Sequence, residues 1–476
     1  MAMNVSFLQE LLNSVAEQGR SMLPRALFGG GVEEDVTELA RALVSGRGEA
    51  SGVAIARELL GRYGELASED KRQFFRFLAD SLQPDALEVA AAARRYLDMP
   101  SQQSLAELQN AVDSPRQEFF RRLNLAPGAT AAILAMRKDL LRLPHPDGAL
   151  AAVDADLRHL LYSWFNRGFL VLRRIDWQTP AAILEKIIAY EAVHEIKGWD
   201  DLRRRLDPAD RRCYAFFHPS LVDEPLIFVE VALTHETPEA IGEVLNEARK
   251  GAPPVDPTTA VFYSISNCQD GLKGISFGNF LIKQVVEDLA REMPSLKTFV
   301  TLSPVPHFAR WLDRVRADDR TGLVTAEDRQ TLALIKDPAW HERTGDHEEL
   351  RASLLALAAS YFLVAKSADG RPVDPVARFH LGNGARLERI NWLGDTSEKG
   401  LGEAHGLMVN YRYDPREIEK NHEAYANEGT VSASRQVRAL LRTAKKPAPL
   451  PPEPQLMIPA PEEPPRTQRG TRDKAK

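Results

Sequence analysis

The chain contains only two cysteines, Cys213 and Cys268, in 476 residues. Two thiols make no disulfide framework, no Cys/His spacing around them fits a zinc site, and a reducing compartment suits them. No apolar run approaches the roughly 20 residues that cross a bilayer. The first residues, MAMNVSFLQELLNSVAEQGR, have no basic head followed by an apolar stretch. The last, Arg472-Asp473-Lys474-Ala475-Lys476, carry no peroxisomal tripeptide. A cytoplasmic protein is therefore expected. Charge of one sign is also scarce: the net charge is -6 and the pI about 6.1. Neither nucleic acid nor an acidic membrane is then expected as a partner. His341 and His347 lack the HExxH spacing and read as solvated, so no metal is expected.

What is present is the composition of an ordinary globular protein, 44% apolar and 27% charged, long enough for two or three cores. Residues 1–165 read as helices only. Apolar side chains recur at three- and four-residue spacing in Lys71–Leu82 and Pro84–Met99, with further helices at Ser104–Val112, Arg116–Leu123 and Thr130–Leu143. This half carries no catalytic motif and reads as a supporting or subunit-pairing bundle. The texture changes near Gly168. Phe169–Leu172 predicts a strand, Pro180–Val193 a helix, and Cys213–His218 with Leu226–Leu233 a hairpin whose unbroken apolar runs imply cover on both faces. Strand Ala260–Ser266, a glycine-bearing loop, helix Asn279–Glu292 and strand Thr298–Leu302 follow. Tyr361–Ala365, Arg386–Trp392 and Leu407–Tyr413 predict three more strands. The second domain is thus mixed α/β, over 166–443. From 444 to 476 the composition turns proline-rich, with nine prolines between Pro447 and Pro465, and a disordered tail is expected.

The loop Asn267-Cys268-Gln269-Asp270-Gly271-Leu272-Lys273-Gly274-Ile275-Ser276-Phe277-Gly278 ends where a helix begins. Its glycines permit sharp bends and close approach of a ligand, and the unpaired N–H groups of the helix start favour an anion. Lys273 adds a full positive charge. The spacing is neither GxGxxG nor GxxxxGK[ST], so no dinucleotide or nucleoside-triphosphate site is indicated. A tight strand-to-helix turn without a ligand remains open on this ground alone. A strand–loop–helix–strand unit reading a diphosphate is also how GNAT acyltransferases hold CoA, and the order of elements here resembles that fold.

Longer motifs sharpen the resemblance. EPLIFVEVALT, FYSISNCQDGLKGISFGNFLIKQVVEDL, FVTLSPVPHFARWL, RFHLGNGARLERINWLGDTSEKG and GLMVNYRYD resemble malonyl-CoA decarboxylases, over roughly Gly168 to Tyr425 and more weakly through the helical half. The resemblance implies an N-terminal helical bundle followed by a GNAT-like mixed β-sheet domain flanked by helices. It maps the family's catalytic serine onto Ser303 and its catalytic histidine onto His380. The malonyl-CoA-binding loop falls on Lys273, Gly274, Ile275, Ser276, Phe277, Gly278 and Asn279. Animal members have a glutamate where this chain has Ser276, so a role for that acid does not carry over. Tyr411 and Tyr413 are secondary candidates for polar contacts. His218, His307 and His405 also lie near predicted strand ends, and sequence alone does not choose among them.

The chemistry so implied is loss of CO2 from malonyl-CoA, leaving the acetyl-CoA enolate. The site must hold the carboxylate out of the thioester plane, stabilise the developing oxyanion and protonate the α-carbon. Ser303 is expected to orient the carboxylate and His380, titrating near neutral pH, to donate the proton. No metal or organic cofactor is called for. The partners expected are malonyl-CoA and acetyl-CoA, with a homo-oligomer (dimer or tetramer) formed through the helical half. Two other classes compete: a GNAT-type transferase moving an acyl group from CoA to an amine, and a non-catalytic CoA-binding scaffold.

Overall fold

The computed structural model describes residues 32–45, 48–143, 148–246, 255–275, 280–318, 322–343 and 347–442. The proline-rich stretch from 444 lies outside them. Among the described residues up to Trp164 every regular element is a helix: α1 (Val32–Val44), α2 (Glu49–Glu65), α3 (Ser68–Ser81), α4 (Ala86–Asp98), α5 (Gln102–Val112), α6 (Pro115–Leu123), α7 (Ala129–Arg142) and α8 (Gly148–Trp164). Several starts are written in the sequence. Asp85 accepts from the N–H groups of Leu87 and Glu88 ahead of α4, and Ser101 forms a reciprocal capping box with Ser104 ahead of α5. Ser114 caps α6, with Pro115 at the first position, where a missing N–H costs nothing. One core, around Leu59, Phe75, Leu78, Phe119, Phe120 and Ile133, joins most of these helices. Helices α4 and α5 pack chiefly on one another and leave Leu87, Leu97 and Met99 exposed.

The second part is a single mixed sheet with flanking helices. In chain order come β1 (Val171–Ile175), α9 (Ala181–Tyr190), α10 (Trp199–Leu206), β2 (Arg211–Phe217), β3 (Pro225–Thr234), β4 (Thr259–Asn267), α11 (Phe280–Glu292), β5 (Thr298–Thr301) and β6 (Ser303–Pro304). Then follow α12 (Phe308–Ala317), α13 (Glu348–Leu363), α14 (Pro375–Gly382), β7 (Arg386–Asn391), α15 (Glu398–Ala404) and β8 (Met408–Arg412). The strand order is β1-β2-β3-β4-β5-β8-β6, with β7 on β8. Strands β1 to β4 are antiparallel, and β2–β3 is the predicted hairpin. Nine of the ten residues of β3 are buried, because helices cover both faces of the sheet. The fold class is the one expected.

Strands β4 and β5 are parallel, but they stay together only briefly. Their pairing runs from Thr259 opposite Thr298 to Phe262 opposite Thr301, and the Leu302 N–H reaches the Phe262 carbonyl at 2.9 Å. Beyond that point β4 continues to Asn267 beside β3 alone, with Tyr263 left over where Glu230 pairs with Ser264 and Val231 with Phe262. Such a bulge bends its strand and re-aims the side chains after it. The segment Glu191–His194 lies along the diverging part of β4. The Glu191 carboxylate accepts the hydroxyls of Ser264 and Ser266 and the N–H groups of Val193 and His194.

Two sequence expectations need correction. Tyr361–Ala365 is not a strand; Tyr361, Phe362 and Leu363 are the last turn of α13. From Ser353 on that helix is apolar nearly all round and buried in the main core, so its helical period carries little contrast there and its aromatic end mimics a strand. The strand predicted at Phe169–Leu172 starts at Val171, because Arg167–Phe169 forms a single tight turn capped by Asn166.

Candidate functional site

Ser303 and Thr301 flank Leu302 on the same face of the chain as it leaves β5. The Ser303 hydroxyl donates to Thr301 Oγ1 at 2.8 Å, and that oxygen also accepts the Tyr411 N–H from β8 at 3.1 Å. His380 approaches from α14. Asp374 caps that helix by accepting the Ala377 N–H at 2.7 Å, and Pro375 opens it. Just past the helix end, Gly384 has φ +78°, and a Cβ there would sit 2.2 Å from the Ile418 carbonyl oxygen. Only glycine fits, and this turn sets where the helix stops.

The result is a contact between residues 77 positions apart: His380 Nε2 lies 3.2 Å from Ser303 Oγ. On the other side of the ring, Nδ1 lies 2.8 Å from the Tyr413 hydroxyl. Tyr411 stacks on the imidazole with centroids 4.5 Å apart and 23° between planes. One tautomer satisfies every contact. Since Ser303 gives its proton to Thr301, its oxygen accepts from His380 Nε2–H, and Nδ1 accepts from Tyr413. The serine is therefore not arranged as a base-activated nucleophile, which would donate to the histidine.

Burial dominates the electrostatics. Ser303, His380, Tyr411 and Tyr413 are all at most 5% exposed. Desolvation pushes the His380 pKa down to about 3 and the Tyr411 and Tyr413 phenols well above their ordinary value. The imidazole is thus neutral, which corrects the expectation of a ring titrating near pH 7. Asp374, beneath α14, is pushed up to about 6 by its own burial, although it accepts from Ala377 and from the Tyr361 hydroxyl.

The loop after β4 lies at the same end of the sheet as Ser303, since both follow the C-terminal ends of parallel neighbours. Lys273 and Gly274 are exposed, with Gly274 at φ +77°, while the Ile275 side chain is buried in the main core and anchors the loop. Ser276, Phe277, Gly278 and Asn279 lie outside the described residues. Asp270 is held below the usual carboxylate range chiefly by Lys138 of α7.

The other histidines near strand ends go elsewhere. His218 Nε2 lies 3.1 Å from the Trp164 carbonyl oxygen, and His405 packs by Phe308. His341 and His347 both pack edge-on against Trp340 and are half-buried, so the solvated reading is corrected. Among the described residues no group of three or more His, Cys, Asp or Glu side chains could hold a metal ion, and no helix is long and apolar enough to cross a membrane. Sequence reasoning missed Thr301, two residues before Ser303, where strand alternation would have placed it. It also missed a cleft beside Pro304, lined by His194, Val305, Asp395, Lys399, Glu403 and Met408. Lys399 there donates to the Ala192 carbonyl, and burial pushes His194 down to about 4. These side chains come from three separate stretches of chain, at 193–194, 304–305 and 395–408, so no single motif contains them all.

Known proteins resemble this chain over most of its length. Residues 82–165 match the family model "Malonyl-CoA decarboxylase N-terminal domain", and residues 168–450 match "Malonyl-CoA decarboxylase C-terminal domain". The mouse protein "Malonyl-CoA decarboxylase, mitochondrial" is 34% identical over 420 residues, which cover 80% of this chain and 83% of the mouse protein. Two crystal structures of malonyl-CoA decarboxylases are similar throughout. That from Rhodopseudomonas palustris has 53% identity and a TM-score of 0.82, covering 86% of this chain and 99% of the other. That from Agrobacterium vitis has 56% identity and a TM-score of 0.81, with 85% and 99% covered.

Proposed function

The chain belongs to the malonyl-CoA decarboxylase family, a family of carboxy-lyases, and from that premise we propose that it converts malonyl-CoA to acetyl-CoA and CO2 at Ser303 and His380. The observation that carries this reading is the buried Ser303–His380–Tyr413 contact. The C–C bond to the carboxylate breaks, its electrons pass to the thioester as an enolate, and one proton must reach the α-carbon. Ser303 orients the carboxylate, its hydroxyl proton turning from Thr301 Oγ1 to the substrate when that group arrives. The neutral His380 gains a proton when that negative charge arrives beside it, because an opposite charge within a few ångströms favours the imidazolium. When CO2 leaves, the charge moves to the enolate and the ring returns its proton to carbon. Low solvent exposure strengthens each of these interactions.

The loop from Lys273 to Asn279 holds the CoA diphosphate in this reading, and the parting of β4 from β5 leaves strand edge for the arm of the thioester. Residues 166–443 carry the chemistry, and residues 1–165 support it and pair subunits. The exposed apolar side chains of α4 and α5 suit a homo-oligomer; light scattering on the purified protein is expected to give a dimer or tetramer. Two free, buried thiols suit a reducing cytoplasm.

One assay tests the activity: purified protein with malonyl-CoA, no amine and no added metal. Release of CO2 with stoichiometric acetyl-CoA is expected. Turnover only with an amine would mean a transferase, and binding without turnover would mean a scaffold.

A further inference from the structure

Helix α7 belongs to the helical half, yet its buried face meets the loop after β4. Arg137, 1% exposed, donates from Nη1 to the Gly271 carbonyl oxygen at 2.6 Å and from Nε to Asp154 of α8 at 2.8 Å. A buried guanidinium with both ends committed is a rigid strut, held in direction by its planar fork. The approach is as close as backbone allows. A Cβ on Gly271 would lie 2.2 Å from the Leu134 carbonyl oxygen, so the loop sits directly on the helix. Next to it, Leu272 is fully buried in the same cluster as Leu134 and Leu161. At the surface, Lys138 pairs with Asp270 at 2.8 Å.

We propose that Arg137 is a positioning residue for the CoA-binding loop: through the Gly271 carbonyl it fixes the entry to the segment beginning at Lys273, so that the helical half sets the affinity for the nucleotide end of the substrate. The inference rests on the reading that this loop holds the CoA diphosphate. Gly271 lies two residues before Lys273, and the backbone between them is a single tight turn from Asp270 to Leu272. A shift of the carbonyl is therefore passed along almost undiminished. Arg137 touches neither Ser303 nor His380, so the strut acts on binding and leaves the chemical centre alone.

The test compares two substrates on the full chain: malonyl-CoA, and malonyl-pantetheine, which keeps the thioester but lacks the phosphates and the nucleotide. Arg137→Gln is expected to raise KM for malonyl-CoA roughly 10-fold, the loss of one hydrogen bond from a charged group. Its kcat/KM for malonyl-pantetheine is expected to stay within about twofold of the unaltered chain. Arg137→Lys, which keeps the charge and reaches one partner, is expected to fall between and guards against a variant that folds poorly. The ratio of the two specificity constants does not depend on how much of the enzyme is folded, whereas a merely structural role lowers both alike. A parallel fall on both substrates, or no change on either, overturns the inference. Failure of the unaltered chain to decarboxylate either substrate overturns the functional reading and this inference with it.

Discussion

Ser303 and His380 gain their meaning from the side chains around them. Thr301 holds the serine proton away from the imidazole, the Tyr413 hydroxyl donates a hydrogen bond to Nδ1, and Tyr411 stacks on the ring. Ser303→Ala and His380→Asn are each expected to lower kcat by about 10²–10³-fold, while the Kd of CoA, measured calorimetrically, stays within a few-fold. Near-full activity in either variant removes the role assigned to that residue. A second expectation follows from burial. The folded pKa of His380, about 3, lies below its ordinary value, so protonation favours the unfolded chain. Its contribution to stability is complete above about pH 6.5 and is lost as pH falls toward 3. In NMR of histidine-labelled protein, the His380 ring is expected not to titrate between pH 5 and 8. Binding a non-cleavable malonyl-CoA analogue is expected to take up close to one proton, read from calorimetry in buffers of different ionisation enthalpy. A ring that titrates near pH 6.5 in the empty protein contradicts this account.

Elements differ in how far their sequence announces them. The β2–β3 hairpin and α11 were legible because apolar runs bounded by turn residues, or a clean helical period, leave one reading. Helix α13 was not, since from Ser353 on it is buried nearly all round and shows no polar face. The serine and histidine were legible only through long motifs; taken singly, each looked like a turn residue or a packed ring. Thr301 and Ser303 come to β8 through strand pairing, and the cleft residues meet from distant stretches of chain, neither of which a local pattern encodes. Helix α14 shows how an element sets a site. Asp374 fixes its start and Gly384 its end, and His380 lies between them. Gly384→Ala places a Cβ against the Ile418 carbonyl at a left-handed φ, a strain of about 1–3 kcal/mol or more. The expected outcome is a lower Tm together with an effect on kcat larger than on KM, because the displaced ring is the one proposed to move the proton. A lowered Tm with unchanged kcat in the folded fraction would show that the helix end does not govern the ring.

The helical half and the sheet meet over apolar surface as well as through Arg137. Leu134, Leu161 and Phe165 belong to the core of the sheet domain, and Trp164 packs against both cores. Phe165 also packs against His218, with ring centroids 4.7 Å apart and planes tilted by 43°. The sequence placed a boundary near here from the change in texture, but texture cannot say how tightly two halves hold each other. Shared core residues predict one cooperative transition, because unfolding either half exposes apolar surface on the other. Phe165→Ala removes a fully buried ring at that junction, a loss of about 3–5 kcal/mol. If the junction couples the halves, calorimetry on the unaltered chain gives one heat-absorption peak and the variant gives two, the earlier from the half less able to stand alone. A variant that still melts in one peak at lower temperature would place the coupling outside Phe165, and Arg137 with its grip on Gly271 would be the next position to substitute.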